Sequence, residues 1–323
     1  MIWKRKLPET GQSLCNLSVS SKRNPPVRVG GQAVIEGVMM RSPQTMAVAV
    51  RRPDGEIAVK KKELTFFSEK SFFFKIPLIR GVIVLISALV LGIEALNFSA
   101  NQSLAEEEKE PSSLTLGVTF GIALCFGIFL FFMIPLFLTK WLRSGMPLLS
   151  ESGLLFNLAD GVIRLGIFLA YLWAISFIKD IRRIFQYHGA EHKSIFAFEA
   201  GAELTPDRVQ DFSRLHPRCG TSFLLIVMVV SILVFALLPH HLPFGYKVAS
   251  RVVFIPFIAG LSYEIIRFAD RKRERLGMQY LIKPGLWLQQ MTAYEPSLSQ
   301  IEVAIRALEE VVALERGNKS ATR

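Results

Sequence analysis

The sequence predicts a mainly α-helical fold: a polytopic membrane helix bundle of four spans plus one in-plane or re-entrant apolar helix, carrying a small α+β cytoplasmic module. Two charge-free stretches and one charge pattern predict it. No charged residue occurs from Pro111 to Thr139, and none from Thr221 to Tyr246. Such stretches match the roughly 20 residues that cross a bilayer, and they lack the polar face of a soluble surface helix. The Lys and Arg behind the net charge of +11 cluster beside apolar segments, as cytoplasmic loops of membrane proteins do. A hydrophobic fraction of 51% agrees with this but decides nothing, because soluble domains approach it.

The elements follow in order. Residues 1–28 mix Ser, Asn, Pro, Lys and Arg without periodicity, as a disordered tail does, and show no apolar core of a cleavable signal peptide. Residues 29–70 form a small β-containing cytoplasmic region. In it Gln32–Met40 and Thr45–Arg51 are rich in apolar residues, Pro53, Asp54 and Gly55 supply turn chemistry, and Ile57–Val59 resume the alternation. Residues 71–178 hold the first three apolar segments, Ile76–Ala100, Leu114–Leu138 and Leu154–Ile178. Asp160 and Arg164 in the third are four apart, so they share a helical face and can pair. Residues 179–220 are a polar, histidine-bearing cytoplasmic stretch. Residues 221–268 form a membrane hairpin of Thr221–Leu238 and Lys247–Ile266. Residues 269–315 are a cytoplasmic C-terminal region, with turns at Pro284–Gly285 and Glu295–Pro296 and a capping-box pattern at Ser299 and Glu302. Ile301, Ala304, Ile305, Leu308, Val311 and Val312 then recur at helical spacing, which predicts an amphipathic helix docked on the protein's own polar domain. Residues 316–323 read as a second disordered tail.

Charge sets the topology. Basic residues crowd Lys60–Arg80, the stretch from Lys179 to Arg218, and Arg267–Arg275. Placing all three on the cytoplasmic side lets only two of the first three segments cross. The first is the weakest, with an uncharged centre of 13 residues, Gly81–Ile93, so it is the one read as in-plane or re-entrant. Five spans with one basic loop outside is the competing arrangement. The expected location is the bacterial inner (cell) membrane, multi-pass, with both termini cytoplasmic. The lipid bilayer is the partner the sequence demands. No nucleic acid is expected, since no such motif is legible and the basic residues are absorbed by topology. The residues fix no oligomeric state. Cys15, Cys125 and Cys219 are dispersed and odd in number, against a disulfide framework.

Chemistry concentrates in 179–220. His188-Gly189-Ala190-Glu191-His192 places two imidazoles one helical turn apart, with Glu191 flanking the same face if the stretch is helical. This is the H-x-x-E-H spacing of inverted zinc peptidases. There the two His hold zinc and the Glu takes a proton from the water that zinc acidifies to a pKa of about 7. Downstream, His216 and Cys219 in His216-Pro217-Arg218-Cys219 are further ligands of the right type. Four protein ligands would make a structural site. Three, with the fourth place open, would make a catalytic one. Glu264, inside the last apolar segment, is another candidate ligand, the alternative being an ion pair with Arg267 or another cation. Glu199 and Glu203 in the same stretch are further candidate ligands, and Glu199 and Arg218 are candidates to line the site, although Arg218 reads first as a cytoplasmic anchor. Glu36 and Arg41 interrupt the apolar run after Gly30-Gly31. They either line the site or belong to a plain strand and turn.

The runs Gly30–Pro43, Tyr187–Lys193 and His216–Thr221, with Pro284–Pro296 and Ile301–Leu308, resemble the YqhQ-like family of bacterial membrane proteins, domain of unknown function 1385. The resemblance covers Gly30 to about Glu310. It implies a membrane protein of the kind labelled a predicted metal-dependent enzyme, with no reaction or ligand set to carry over.

The expectation is therefore a membrane-embedded enzyme dependent on a divalent metal, zinc by ligand type, hydrolysing a membrane-protein segment or a lipid head group. His188, His192 and one of His216, Cys219 or Glu264 would be ligands and Glu191 the general base. The alternative is a non-enzymatic membrane scaffold or assembly factor with a structural zinc. A transporter is disfavoured by the few ionisable groups the spans show.

Overall fold

Alternation in the first apolar run builds an antiparallel meander. Its strands are β1 (Gly30–Val34), β2 (Gly37–Arg41), β3 (Thr45–Arg51) and β4 (Ile57–Glu63), in spatial order β1-β2-β3-β4. The computed structural model describes residues 27–64, 76–104, 113–146, 152–238, 243–271 and 278–321. The N-terminal tail up to residue 26, His240, His241, Lys272, Arg273 and Arg275 lie outside the described residues. Because strand side chains alternate, the sheet buries both faces. Val38, Met40, Ala47 and Ala49 join one core, and Val34, Met39, Met46, Val48 and Val50 join another.

The helices are α1 (Ile79–Ser103), α2 (Ser113–Ile128), α3 (Ile134–Gly145), α4 (Gly153–Ile175), α5 (Lys179–Glu199), α6 (Pro206–Gln210), α7 (Gly220–Ala236), α8 (Phe244–Arg271), α9 (Met278–Thr292) and α10 (Leu298–Ala321). A π-helical turn, Phe129–Met133, joins α2 to α3. It widens the helix just before Pro135, which lacks an N–H and would crowd the carbonyl one turn back.

Helix α10 docks as its spacing predicts. Ile301, Ala304, Ile305, Leu308, Val311 and Val312 bury against Val38, Met40, Ala47 and Ala49, with Tyr187 and Ala190 of α5 in the same core. The capping box sits two residues earlier than the sequence pattern places it. Ser297 Oγ accepts the Gln300 N–H at 3.3 Å, and Gln300 Oε1 accepts the Ser297 N–H at 2.9 Å. Glu302 instead pairs with Arg51. At the other end α10 continues to Ala321, past the expected tail boundary at residue 316. Pro284 and Gly285 mark no turn. They lie inside α9, where Gly285 lets the helix meet Ser222 of α7: a Cβ there would stand 2.4 Å from Ser222 Oγ.

Among the described residues, four helices are long and apolar enough to cross a membrane: Ile79–Ser103, Gly117–Gly145, Gly153–Ile175 and Ala249–Ala269. Helix α7 is apolar but has 17 residues, the lower end of the spanning range of about 17–25. Helix α1 differs from the others in what it touches. At its start Gly81 abuts Gly260 of α8, and Arg80 Nε donates to Glu264 at 2.9 Å. Farther along, Leu91, Ala95, Leu96 and Phe98 cover the second sheet core. Glu94 pairs with Lys60 and Lys62 of β4, and in the last turn Gln102 accepts from Arg52. Ile86, Leu89 and Val90 stay exposed on its other side.

Candidate metal centre

The polar stretch between the third and fourth apolar segments is mostly helix. Helix α5 carries Tyr187 through Lys193, so His188 and His192 project from one face with their ring centroids 4.3 Å apart. Cys219 caps the start of α7 and brings its sulfur to the same place. His188, His192 and Cys219 each offer one ligand atom, all within 4.8 Å of one another. Tetrahedral zinc, with Zn–N about 2.0 Å and Zn–S about 2.3 Å, sets such atoms about 3.5 Å apart. The donor set and its spacing therefore fit that ion.

Backbone carbonyls fix the rings. His188 Nδ1 lies 2.7 Å from the Thr292 carbonyl and His192 Nδ1 lies 2.6 Å from the Arg214 carbonyl. A carbonyl only accepts, so both Nδ1 atoms carry the hydrogen and both Nε2 atoms present a lone pair. His188 Nε2 lies 3.1 Å from Cys219 Sγ. His192 Nε2 is buried without a close hydrogen-bond partner among the described residues. Ligating histidines are oriented in this way by their outer partners.

Glu191 is beside the cluster and 5% exposed. Its carboxyl lies against Gly31 of β1: a Cβ on Gly31 would stand 2.8 Å from Glu191 Cδ. Burial pushes this carboxyl up to about 8, against the pull of His188 and of the Gly31 N–H. Burial likewise holds His192 below the ordinary imidazole value, with His188 adding to the effect. Burial alone would raise the Cys219 thiol, yet the adjacent His192 ring and hydrogen bonding with Thr221 bring it below its ordinary value.

The other sequence candidates divide. His216 is buried next to the cluster, its ring centroid 5.7 Å from that of His192, but its Nε2 faces Glu199 at 3.7 Å. Glu199 also pairs with Arg218, so these three residues form a flank of the site. Glu264 is not brought to the cluster; Arg80 holds it at the junction of α1 and α8. Glu36 is not brought there either. It occupies the β1–β2 turn at a φ of 51° and joins the sheet to α5 through Arg183 and Tyr187. Arg41 ends β2 opposite Gly30, with burial lowering its pKa and Tyr263 of α8 nearby.

Four supports of the site went unread in the sequence. Gln289 is fully buried and clamps His216, accepting its N–H and donating to its carbonyl, both at 2.8 Å. Lys193 is buried and donates to the Gln210 carbonyl while pairing with Glu295. The Thr292 and Arg214 carbonyls leave no trace in residue identity. The burial of a Lys next to His192 had only one legible signal, its place in an otherwise apolar helical face.

Fold and site together define a class: a bundle of membrane-length helices whose polar end, beside a four-stranded sheet, gathers two imidazoles and a thiol. The chain belongs to the family described as protein of unknown function DUF1385, which matches residues 76–314. It is 35% identical over 308 residues to the "Uncharacterized protein YqhQ" of Bacillus subtilis (strain 168), across 91% of this chain and 95% of that one. No solved structure matches.

Proposed function

We propose that the chain is a membrane-embedded metal-dependent hydrolase working at the cytoplasmic face, with His188, His192 and Cys219 as ligands and Glu191 as general base. The observation that carries this reading is the convergence of two Nε2 lone pairs on Cys219 Sγ, each ring locked by a carbonyl behind it. Two imidazoles and a thiolate suit zinc. Zinc held there supplies Lewis acidity and lowers the pKa of water from 15.7 to about 7. Three ligands leave one position open, as catalytic sites do, and His216, turned toward Glu199, does not close it. Glu191 takes a proton from the attacking water at a carboxylate oxygen and passes it to the leaving nitrogen or oxygen as the amide or ester bond breaks. A carboxyl whose pKa burial has raised is suited to both tasks near neutral pH. The substrate class is an amide or ester of a membrane-protein segment or lipid head group, reached from the membrane surface.

The test is Glu191→Gln in purified full-length protein, with zinc content and hydrolysis of p-nitrophenyl acetate and of a fluorogenic casein as readouts. The variant is expected to keep zinc and lose about 10²–10⁴-fold in rate, the usual share of a general base. Equal rates with equal zinc sink the hydrolase in favour of a scaffold with a structural ion.

The same reading places the sheet, α5 and α10 in the cytoplasm and α1 along the inner membrane surface. One end of α1 is tied to α8 by Arg80–Glu264 and the other to the β3–β4 turn by Gln102–Arg52. Crossing the bilayer would drag Lys60, Lys62 and Glu94 into hydrocarbon, where charged groups are costly. Ile86, Leu89 and Val90 then face lipid. A cysteine placed at Ser103 is expected to react with an impermeant maleimide in inverted vesicles alone. Labelling from the outside would make α1 a span.

A further inference from the structure

The membrane helices bury a second charged constellation at the end of the bundle away from the histidines. Asp160 and Arg164 of α4 and Arg251 of α8 are 1%, 2% and 4% exposed. Asp160 Oδ2 accepts from Arg164 Nη2 at 2.7 Å and from Arg251 Nη2 at 2.6 Å. The place is fixed by Asn157, one turn before Asp160, which donates to the Leu238 carbonyl just beyond the end of α7. The sequence predicts the Asp160–Arg164 pair. Arg251, inside the segment Lys247–Ile266, is the addition.

One carboxylate against two guanidiniums leaves a surplus positive charge. Helix α7, which packs between α4 and α8, carries no charged side chain from Gly220 to Ala236. The nearby cation of α3, Arg143, lies over the Phe156 ring and adds no negative charge. Among the described residues, Asp160 is the acid that pairs with either guanidinium. The rings of Phe132 and Phe235 cover the two cations, at 5.3 and 5.5 Å from Arg164 and 5.4 Å from Arg251. Such contacts offset only part of the cost of burying an uncompensated ion. Hydrogen bonding is incomplete as well. Arg164 Nε, Arg251 Nε and Arg251 Nη1 are buried donors with no acceptor among the described residues, three against the cluster's one buried acceptor without a donor, Asp160 Oδ1. Surplus charge and unused N–H groups call for the same thing, an acceptor bearing one negative charge.

We propose that Asp160, Arg164 and Arg251 bind a small monovalent anion of halide, nitrate or formate size inside the bundle. Near-complete burial of all three side chains favours a small ion over a lipid head group. Asp160 serves as the hinge that holds both guanidiniums at a fixed separation, and their free N–H groups supply the ligands. The site is independent of the metal centre, shares no residue with it, and stands whether or not that centre is catalytic.

The experiment is thermal unfolding of the purified full chain in detergent, at constant ionic strength, as gluconate is exchanged for chloride, nitrate or formate. A saturable rise in Tm of several degrees, half complete at millimolar anion, is expected. Arg251→Met balances the remaining pair and is expected to abolish that rise while leaving zinc content unchanged. Arg251→Lys keeps the charge and is expected to retain the anion response if the Met variant does not fold. Identical wild-type curves in gluconate and chloride overturn the proposal, as does an undiminished response in Arg251→Met. A rise produced by phosphatidylglycerol micelles but by no free anion overturns it too, and assigns the site to a lipid phosphate.

Discussion

Replacing His188 or His192 by Ala is expected to leave the purified protein without zinc, where wild type is expected to hold about one equivalent. In the proposed site each ring supplies one of three donors, while His216 and Glu264 face other partners. Loss of an outer partner alone costs about 10–100-fold in metal affinity, so loss of a ligand should exceed that range. The neighbouring candidates give contrasting expectations. Glu264→Gln should keep its zinc, because Arg80 and not the cluster holds that carboxylate. His216→Ala should keep the stoichiometry as well, because its Nε2 faces Glu199. Equilibrium dialysis against a chromophoric chelator reads all four variants. Wild-type protein that binds no zinc, yet whose Cys219 is alkylated rapidly at pH 7, would replace the metal centre with a thiolate–imidazole pair, which the 3.1 Å His188–Cys219 contact also allows.

That contrast shows how far the sequence reaches. Helical periodicity links residues three and four apart, so the common face of His188, Glu191 and His192 was legible, as were the Asp160–Arg164 pair and the buried stripe of α10. Contacts between distant parts of the chain obey no such period. Cys219 meets His188 because α7 begins there, and residue type made it a candidate without choosing it over His216. Arg80 captures Glu264 across 184 positions, a pairing that spacing does not encode. The capping box slipped by two residues because Ser299–Glu302 and Ser297–Gln300 offer the same pattern. Arg51 decides between them by taking Glu302. Pro284 and Gly285 read as a turn by local chemistry, yet tertiary packing of α9 on Ser222 keeps them helical.

Gly189 is where local and tertiary logic conflict most sharply, and Gly189→Ala is the second large effect expected. In an isolated helix the change is favourable by about 0.5–1 kcal/mol. In this structure a Cβ on Gly189 would stand 1.9 Å from the Tyr294 carbonyl oxygen, so something must move. Helix α5 is held by the sheet and α10, and the crossing segment is tied at several points. Tyr294 N–H donates to the Phe185 carbonyl at 2.9 Å, Ala293 N–H to the Gln289 carbonyl at 2.8 Å, and Arg214 to the Ala293 carbonyl. Overpacking a side chain costs about 1–3 kcal/mol, and here the obstacle is tethered backbone, which puts the loss at about 3 kcal/mol or more. The displacement begins two residues from Thr292, whose carbonyl orients His188. Zinc affinity should therefore fall together with stability, although no ligand has been removed. Gly317→Ala is the control: it lies in α10 with open space around its Cβ and should gain the ordinary helical increment. Denaturant titration and zinc content measured on both variants separate the two cases. A Gly189→Ala protein with wild-type stability and full zinc would mean that the α9–α10 crossing does not lie against α5. The carbonyl support of His188, and with it the tautomer argument for the metal, would then fail.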